Sequence, residues 1–357
     1  MKKLTLQKLV IAFFVILGSH QVALAQSKKL PSVKILATGG TIAGSASSAT
    51  SSSYAAGQVG IQTMINAVPG IKEIANVSGE QVSNVGSQDM TIDIWLKLAN
   101  RINELLASDD VDGIVITHGT DTQEETAYFL SLVVKSDKPV VTTGSMRSST
   151  SISAEGPLNL YNAVAIAASP EAKGKGVMVS LNDQIHGARD VSKMNTTNVN
   201  SFVSPIKGVL GGVFYGRLGF FREPTTKLGL QSEFSVDGVK ELPRVDIIYG
   251  CADMSPDLID MLVNAGAKGI VIAGVGNGNM NTATLNAAKK ASEKGVIVVR
   301  STKAATGWVL RDNEFKDADY GTIAGHDLGP VKSRILLMLT LMKERSLEEI
   351  QEIFYTY

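Results

Sequence analysis

The stretch Gly113-Ile-Val-Ile-Thr-His-Gly-Thr-Asp-Thr-Gln-Glu-Glu-Thr-Ala-Tyr-Phe-Leu-Ser-Leu-Val-Val134 changes its periodicity halfway along. After Gly113 it opens with a short apolar, β-branched run, the pattern of a strand buried on both faces of a parallel sheet. Thr122 and Glu125 then stand at capping-box spacing before the apolar segment 127–134, which predicts a helix. Between strand and helix lies the loop His118-Gly-Thr-Asp121. The same order recurs along the chain, with further apolar runs at 33–36, 139–143, 176–181, 245–249, 269–273 and 295–299. Helical patterns fill the gaps: Trp95, Leu98, Ile102 and Leu105 share one face, and Pro157 suits the first turn of a helix over 158–167. Strands alternating with helices predict an α/β fold of mostly parallel sheets with flanking helices and right-handed crossovers.

The alternation breaks between Glu223 and Pro243. We read 223–243 as a linker between a larger N-terminal catalytic α/β domain (30–222) and a smaller C-terminal α/β domain (244–357), both of ordinary domain size. A long β-hairpin within one domain is the competing reading. The first 25 residues carry Lys2, Lys3 and Lys8, an apolar run from Leu9 to Leu17, and Ala23-Leu-Ala25. That is the layout of a cleavable secretory signal peptide, and the run is far shorter than a membrane-spanning helix needs. An exported, periplasmic product is therefore expected.

The whole 357-residue chain balances 34 basic against 34 acidic side chains, with 44% hydrophobic and 19% charged residues. Without residues 1–25 the balance is 31 to 34, mildly acidic. Neither figure has the charge excess of a disordered or nucleic-acid-binding chain, and neither calls for an anionic membrane partner. The single cysteine, Cys251, excludes an intramolecular disulfide. None of His20, His118, His186 and His326 lies in an HExxH motif, so neither a metal nor a cofactor is expected. Gly39-Gly-Thr-Ile-Ala-Gly44 fits neither dinucleotide nor P-loop spacing, and no GxSxG elbow occurs.

Threonine chemistry remains. Thr41 and Thr120 each follow an apolar strand and a glycine, which at the carboxyl ends of parallel strands would bring both to one crevice. A hydroxyl needs a neighbouring base to act as a nucleophile, and glycine-rich turns let backbone N–H groups reach an oxyanion. The small polar loop 45–53, with Tyr54 at its end, reads as a lid or as an ordinary surface loop. Asp121 and Thr122 read as site residues or as helix caps, with His118 a core residue in the second case. Lys193 reads as a base held neutral by burial or as a solvated lysine.

Four stretches carry a resemblance: Leu36-Ala-Thr-Gly-Gly-Thr-Ile-Ala-Gly44, Gly86-Ser-Gln-Asp-Met90, residues 116–130, and Gly274-Val-Gly-Asn-Gly-Asn279. Together, and in this order along the chain, they resemble the bacterial type II (periplasmic) L-asparaginases of the asparaginase/glutaminase family. The resemblance implies hydrolysis of L-asparagine to L-aspartate and ammonia, with lesser action on L-glutamine and no cofactor. It implies Thr41 as the nucleophile that forms an acyl-enzyme, Tyr54 as the lid tyrosine that orients it, and Thr120, Asp121 and Lys193 as a second catalytic group. Ser87, Gln88, Thr120, Asp121 and Asn279 would grip the substrate, and Glu314 would complete the site of a neighbouring subunit in a homotetramer. Met146-Arg147, Tyr161 and Asn162 lie in resembling segments and read as structural. Around the Glu314 match, Trp308-Val-Leu-Arg311 departs from the commonest pattern and resembles the glutaminase-asparaginase branch. A balanced glutaminase-asparaginase is one alternative. A periplasmic amino-acid-binding protein is an alternative of another class.

Overall fold

The computed structural model describes residues 29–51 and 53–357. The expected signal peptide, 1–25, lies outside the described residues. The first sheet has eight strands: β1 (Ser32–Gly39), β2 (Asn76–Val85), β3 (Gly113–Thr117), β4 (Val140–Thr143), β5 (Val177–Leu181), β6 (Gln184–Gly187), β7 (Gly211–Phe214) and β8 (Arg217–Phe220). Their order across the sheet is β8-β7-β6-β5-β4-β3-β1-β2. The run from β5 to β2 is parallel, and β6, β7 and β8 extend it as antiparallel strands. Crossover helices α1 (Ile92–Ala107), α2 (Gln123–Val133) and α3 (Gly156–Ala167) join β2 to β3, β3 to β4 and β4 to β5.

Period-two alternation sorts the strand side chains into two cores. Leu36, Ile114, Ile116, Val140 and Val179 enter one apolar cluster, while Ile35, Val115, Val141 and Met178 enter the other. Both faces are covered, which is why these strands are apolar throughout. The second sheet is fully parallel, with β9 (Val245–Tyr249), β10 (Gly269–Gly274), β11 (Ile297–Thr302) and β12 (Thr322–Ala324) in chain order. Helices α4 (Asp257–Asn264), α5 (Thr282–Glu293), α6 (Pro330–Thr340) and α7 (Leu347–Thr356) complete that half. Helix α6 packs on α2 and on the second sheet, so Val271 and Val299 share one apolar cluster with Ile116 and Val179. No described helix is long and apolar enough to cross a membrane.

The architecture is the two-sheet α/β fold that the alternation predicts, and its unforeseen parts lie at sheet edges. Strand β2 is polar because it is the outermost strand, with Val82 its one buried residue. The β7–β8 hairpin turns through Tyr215 (φ 49°) and Gly216 (φ 79°), both in the left-handed region, as a two-residue type I′ turn requires. Between Arg222 and Arg244 the regular structure reduces to one short turn, Gly229–Gln231. Helix α2 starts where the capping spacing puts it, yet the Thr122 side chain makes no cap bond. Its hydroxyl donates instead to the Ser87 carbonyl at 2.8 Å, tying the helix start to the loop after β2.

Candidate active site

Three loops at the carboxyl ends of β1, β2 and β3 meet backbone to backbone. A Cβ on Gly40, where φ is 79°, would lie 2.3 Å from the Gly119 nitrogen, so only glycine allows the first and third loops to touch. A Cβ on Gly119 would in turn lie 2.6 Å from Ser87 Oγ, in the second loop. Ser87 Oγ accepts the Asp121 N–H at 3.1 Å. Gln88 is exposed and folds back over the backbone of Gly86, where a Cβ would meet its side-chain amide at 2.5 Å.

Thr41 opens a single 3-10 turn, Thr41–Ala43, and is buried. Its hydroxyl lies 2.6 Å from the Tyr54 hydroxyl. Tyr54 reaches it because Tyr54–Ala55 pairs antiparallel with Ser45–Ala46, folding the polar segment into a flap. The flap is tied down outside that ladder as well. Ile152 N–H donates to the Ala49 carbonyl at 3.0 Å, Ser149 N–H to the Gly44 carbonyl at 3.0 Å, and Ala46 N–H to Thr150 Oγ1 at 2.9 Å. The segment expected as a loose lid is thus attached to the neighbouring loop through its own backbone, at Gly44, Ala46 and Ala49.

Lys193 comes from the first of two paired strand fragments, Ser192–Lys193 and Phe202–Val203. Its ammonium donates to Thr120 Oγ1 at 2.9 Å and to Asp121 Oδ1 at 2.6 Å. Thr120 is buried, whereas the Asp121 side chain is 62% exposed and open to a ligand. Two residues that local sequence patterns do not single out hold this arrangement. Glu124 accepts the Lys193 backbone N–H at 3.1 Å and pairs with Lys332 Nζ at 3.6 Å. Lys332, fully buried on α6, also donates to the carbonyls of Arg189 and Val191, just upstream of Lys193. In Val331-Lys-Ser-Arg-Ile-Leu-Leu337 the lysine stands beside Ser333 and Arg334 and reads as part of a wet face, so local sequence gives no signal of the brace.

His118 is the hydrogen-bonded core residue of the second sequence reading. It is fully buried, and desolvation pushes its pKa down to about 4. The Gly119 carbonyl accepts from Nδ1 at 2.7 Å, which fixes the neutral tautomer and leaves Nε2 to accept from Thr126 Oγ1 at 2.9 Å. His186 is likewise buried and pushed down to about 4. An unfolded histidine titrates near 6.5, so below that pH the unfolded chain binds protons that the folded one refuses. Stability is therefore expected to fall by roughly 2–3 kcal/mol per ring between pH 6.5 and 4 and to level off below, as far as these rings are concerned. Urea unfolding at successive pH values checks this, and a flat profile across that window contradicts it.

Asn279 and Glu314 stand apart from the threonines. Asn279 Nδ2 donates to Glu314 Oε1 at 2.7 Å, at the carboxyl end of the second sheet. Among the described residues, no hydrogen bond or ion pair joins either of them to Thr41, Tyr54, Thr120, Asp121 or Lys193 of the same chain. No described cluster of His, Cys, Asp or Glu has the makings of a metal site.

Two family models cover the chain: "Asparaginase, N-terminal" matches residues 32–226, and "Glutaminase/Asparaginase C-terminal domain" matches 244–354. L-asparaginase 2 of Bacillus subtilis strain 168 is 54% identical over 334 residues, covering 93% of this chain and 88% of that one. A probable periplasmic L-asparaginase of Haemophilus influenzae is 49% identical over 333 residues, 93% of this chain and 95% of its own. A crystal structure of a probable cytoplasmic L-asparaginase from Campylobacter jejuni superimposes with a TM-score of 0.89 at 45% identity, covering 92% of this chain and all of that one.

Proposed function

Because the chain belongs to the asparaginase family and is a hydrolase of that family, we propose that it hydrolyses the side-chain amide of L-asparagine through an acyl-enzyme on Thr41. One observation carries the reading. Two strand-end loops, packed backbone to backbone, present two threonine hydroxyls that each have a polar partner: Thr41 with Tyr54 at 2.6 Å, and Thr120 with Lys193 at 2.9 Å.

In the proposed reaction Ser87, Gln88, Thr120 and Asp121 hold the α-carboxylate and α-amino groups, which fixes the amide carbon over Thr41. Thr41 Oγ1 attacks that carbon with Tyr54 orienting its lone pair. The hydroxyl proton passes to the tyrosine as the tyrosine gives its own proton on towards the amide nitrogen, and N–H groups of the two loops stabilise the oxyanion. Collapse expels the amide nitrogen, which takes a proton and leaves as ammonia. Water then attacks the acyl ester, with Thr120 tuned by Lys193 and Asp121, and L-aspartate departs as Thr41 regains its proton. Two domains matching an enzyme family over nearly the whole chain disfavour a pure amino-acid-binding protein.

Asparagine is the preferred amide in this reading, because Gln88 and Asn279 are amide residues where glutaminase-asparaginases tend to carry Glu and Ser. One methylene separates the two substrates, so kcat/KM is expected to favour asparagine over glutamine by roughly 10–200-fold. A ratio near one, measured by ammonia release from each amide, would overturn that preference and favour the balanced glutaminase-asparaginase.

The working form in this reading is a homotetramer in which Glu314 completes a neighbouring subunit's site. The reading is supported by the Asn279–Glu314 pair, bonded to each other and, among the described residues, to none of Thr41, Tyr54, Thr120, Asp121 and Lys193. Residues 1–25 are proposed to be a cleaved signal peptide that delivers the enzyme to the periplasm. One of these relatives is named periplasmic and another cytoplasmic, so the leader pattern is the support for export.

A further inference from the structure

The 275–279 loop and the strap that carries Glu314 are stapled together by groups with no direct part in the proposed chemistry. The loop closes on itself through paired backbone bonds between Val275 and Asn279, at 2.9 and 2.8 Å, with Gly276 and Gly278 in the left-handed region. At its tip the Asn277 side chain uses both ends. Nδ2 donates to the Trp308 carbonyl at 2.9 Å and Oδ1 accepts the Leu310 N–H at 2.8 Å. Arg300, 1% exposed, sits beneath. Its guanidinium donates to the Asn277 carbonyl at 3.2 Å and the Leu310 carbonyl at 3.0 Å, and forks onto Asp317 with two bonds of 2.7 Å. It also lies 4.8 Å from the ring centre of Phe315, next to Glu314. The strap is therefore fixed on either side of Glu314, at Leu310 and Asp317.

We propose that Asn277 is a positioning residue: with Arg300 it ties the 308–317 strap to the 275–279 loop, so that Glu314 meets the substrate already set against Asn279. The inference rests on the reading of Glu314 as a substrate-gripping residue. Without the staple, Glu314 sits on an exposed strap between its two fixed points, and its carboxylate must be ordered at each binding event. Among the described residues no hydrogen bond or ion pair joins Asn277 to either threonine loop, so its loss is expected to leave the chemical step alone.

A double-mutant cycle on the full-length enzyme tests this. Asn277→Ala is expected to raise KM for asparagine about tenfold while kcat stays within about twofold. Asn277→Asp keeps the Leu310 bond but sets an oxygen against the Trp308 carbonyl, and is expected to fall between wild type and alanine. In a Glu314→Gln background, Asn277→Ala is expected to change KM by less than about twofold, because the group it positions is already disabled. If Glu314→Gln raises KM and Asn277→Ala does not, the positioning role falls while the reading of Glu314 stands. Equal effects of Asn277→Ala in both backgrounds, or kcat falling in step with the melting temperature, would overturn it as well. A Glu314→Gln enzyme with unchanged KM would remove both claims.

Discussion

Thr41→Ala is expected to lower kcat for asparagine by roughly 10⁴-fold or more, the scale on which single nucleophile deletions act in covalent hydrolases. The substitution removes the only atom proposed to bond to the substrate. It should leave the protein folded, because the side chain contributes one hydrogen bond, to Tyr54, worth about 1 kcal/mol. Its methyl group adds little to a turn already held by the Gly44-to-Thr41 backbone bond of 2.8 Å. KM should change much less than kcat, since the groups proposed to grip the substrate lie on the other two loops and, for Asn279 and Glu314, at the second sheet. Thr41→Ser, which keeps the hydroxyl, should retain far more activity than alanine. Ammonia release at saturating asparagine, with circular dichroism as the check on folding, measures this directly. An alanine variant with near-wild-type turnover would contradict the role of Thr41.

Lys193→Met is expected to cost roughly 10²–10⁴-fold in kcat, the range for a positioned proton-transfer group. Methionine matches the length of the aliphatic stem, so packing near Thr120 is preserved while the donors to Thr120 and Asp121 vanish. Asp121 is left without its cation, but its side chain is 62% exposed and water replaces the lysine. Lys193 is itself only 15% exposed and also donates to buried Thr120, so the loss of stability should be about 1–2 kcal/mol, the scale of one lost hydrogen bond to a charged group. Lys193→Arg should rescue poorly, because a flat guanidinium does not reproduce a tetrahedral ammonium aimed at a hydroxyl and a carboxylate together. Comparing kcat with melting temperature separates the outcomes. A methionine variant that loses stability but keeps turnover would make Lys193 structural.

The central strands were legible because burial on both faces leaves no room for polar residues, so Ile114, Ile116, Val140 and Val179 announce themselves. Strand β2 was illegible for the opposite reason: at the sheet's outer edge its side chains face water and read as loop. The two threonine loops were legible as strand-Gly-Thr echoes, but what joins them was not. Thr120 and Lys193 are 73 positions apart, and no local periodicity encodes a contact of that range. Glu124 read as a residue in a helix's first turn, and its use as an acceptor for the Lys193 backbone depends on tertiary placement. Lys332 was harder still. A lysine on a helix normally marks the wet face, and only packing of α6 between α2 and the second sheet makes it a buried brace. Asn277 lay in a quoted motif as spacing around Asn279, while its two side-chain bonds to the Trp308 strap required the fold.

The most direct test of the whole account is to locate the acyl group. Wild-type enzyme turning over asparagine, quenched rapidly in acid and digested, should yield an aspartyl ester on the hydroxyl of Thr41, in the peptide spanning the first glycine loop. That ester should be missing from Thr41→Ala and should accumulate in Lys193→Met if deacylation is the step most impaired. An aspartyl ester on Thr120 instead, or turnover with no ester on either threonine, would contradict the assignment of Thr41 as the nucleophile.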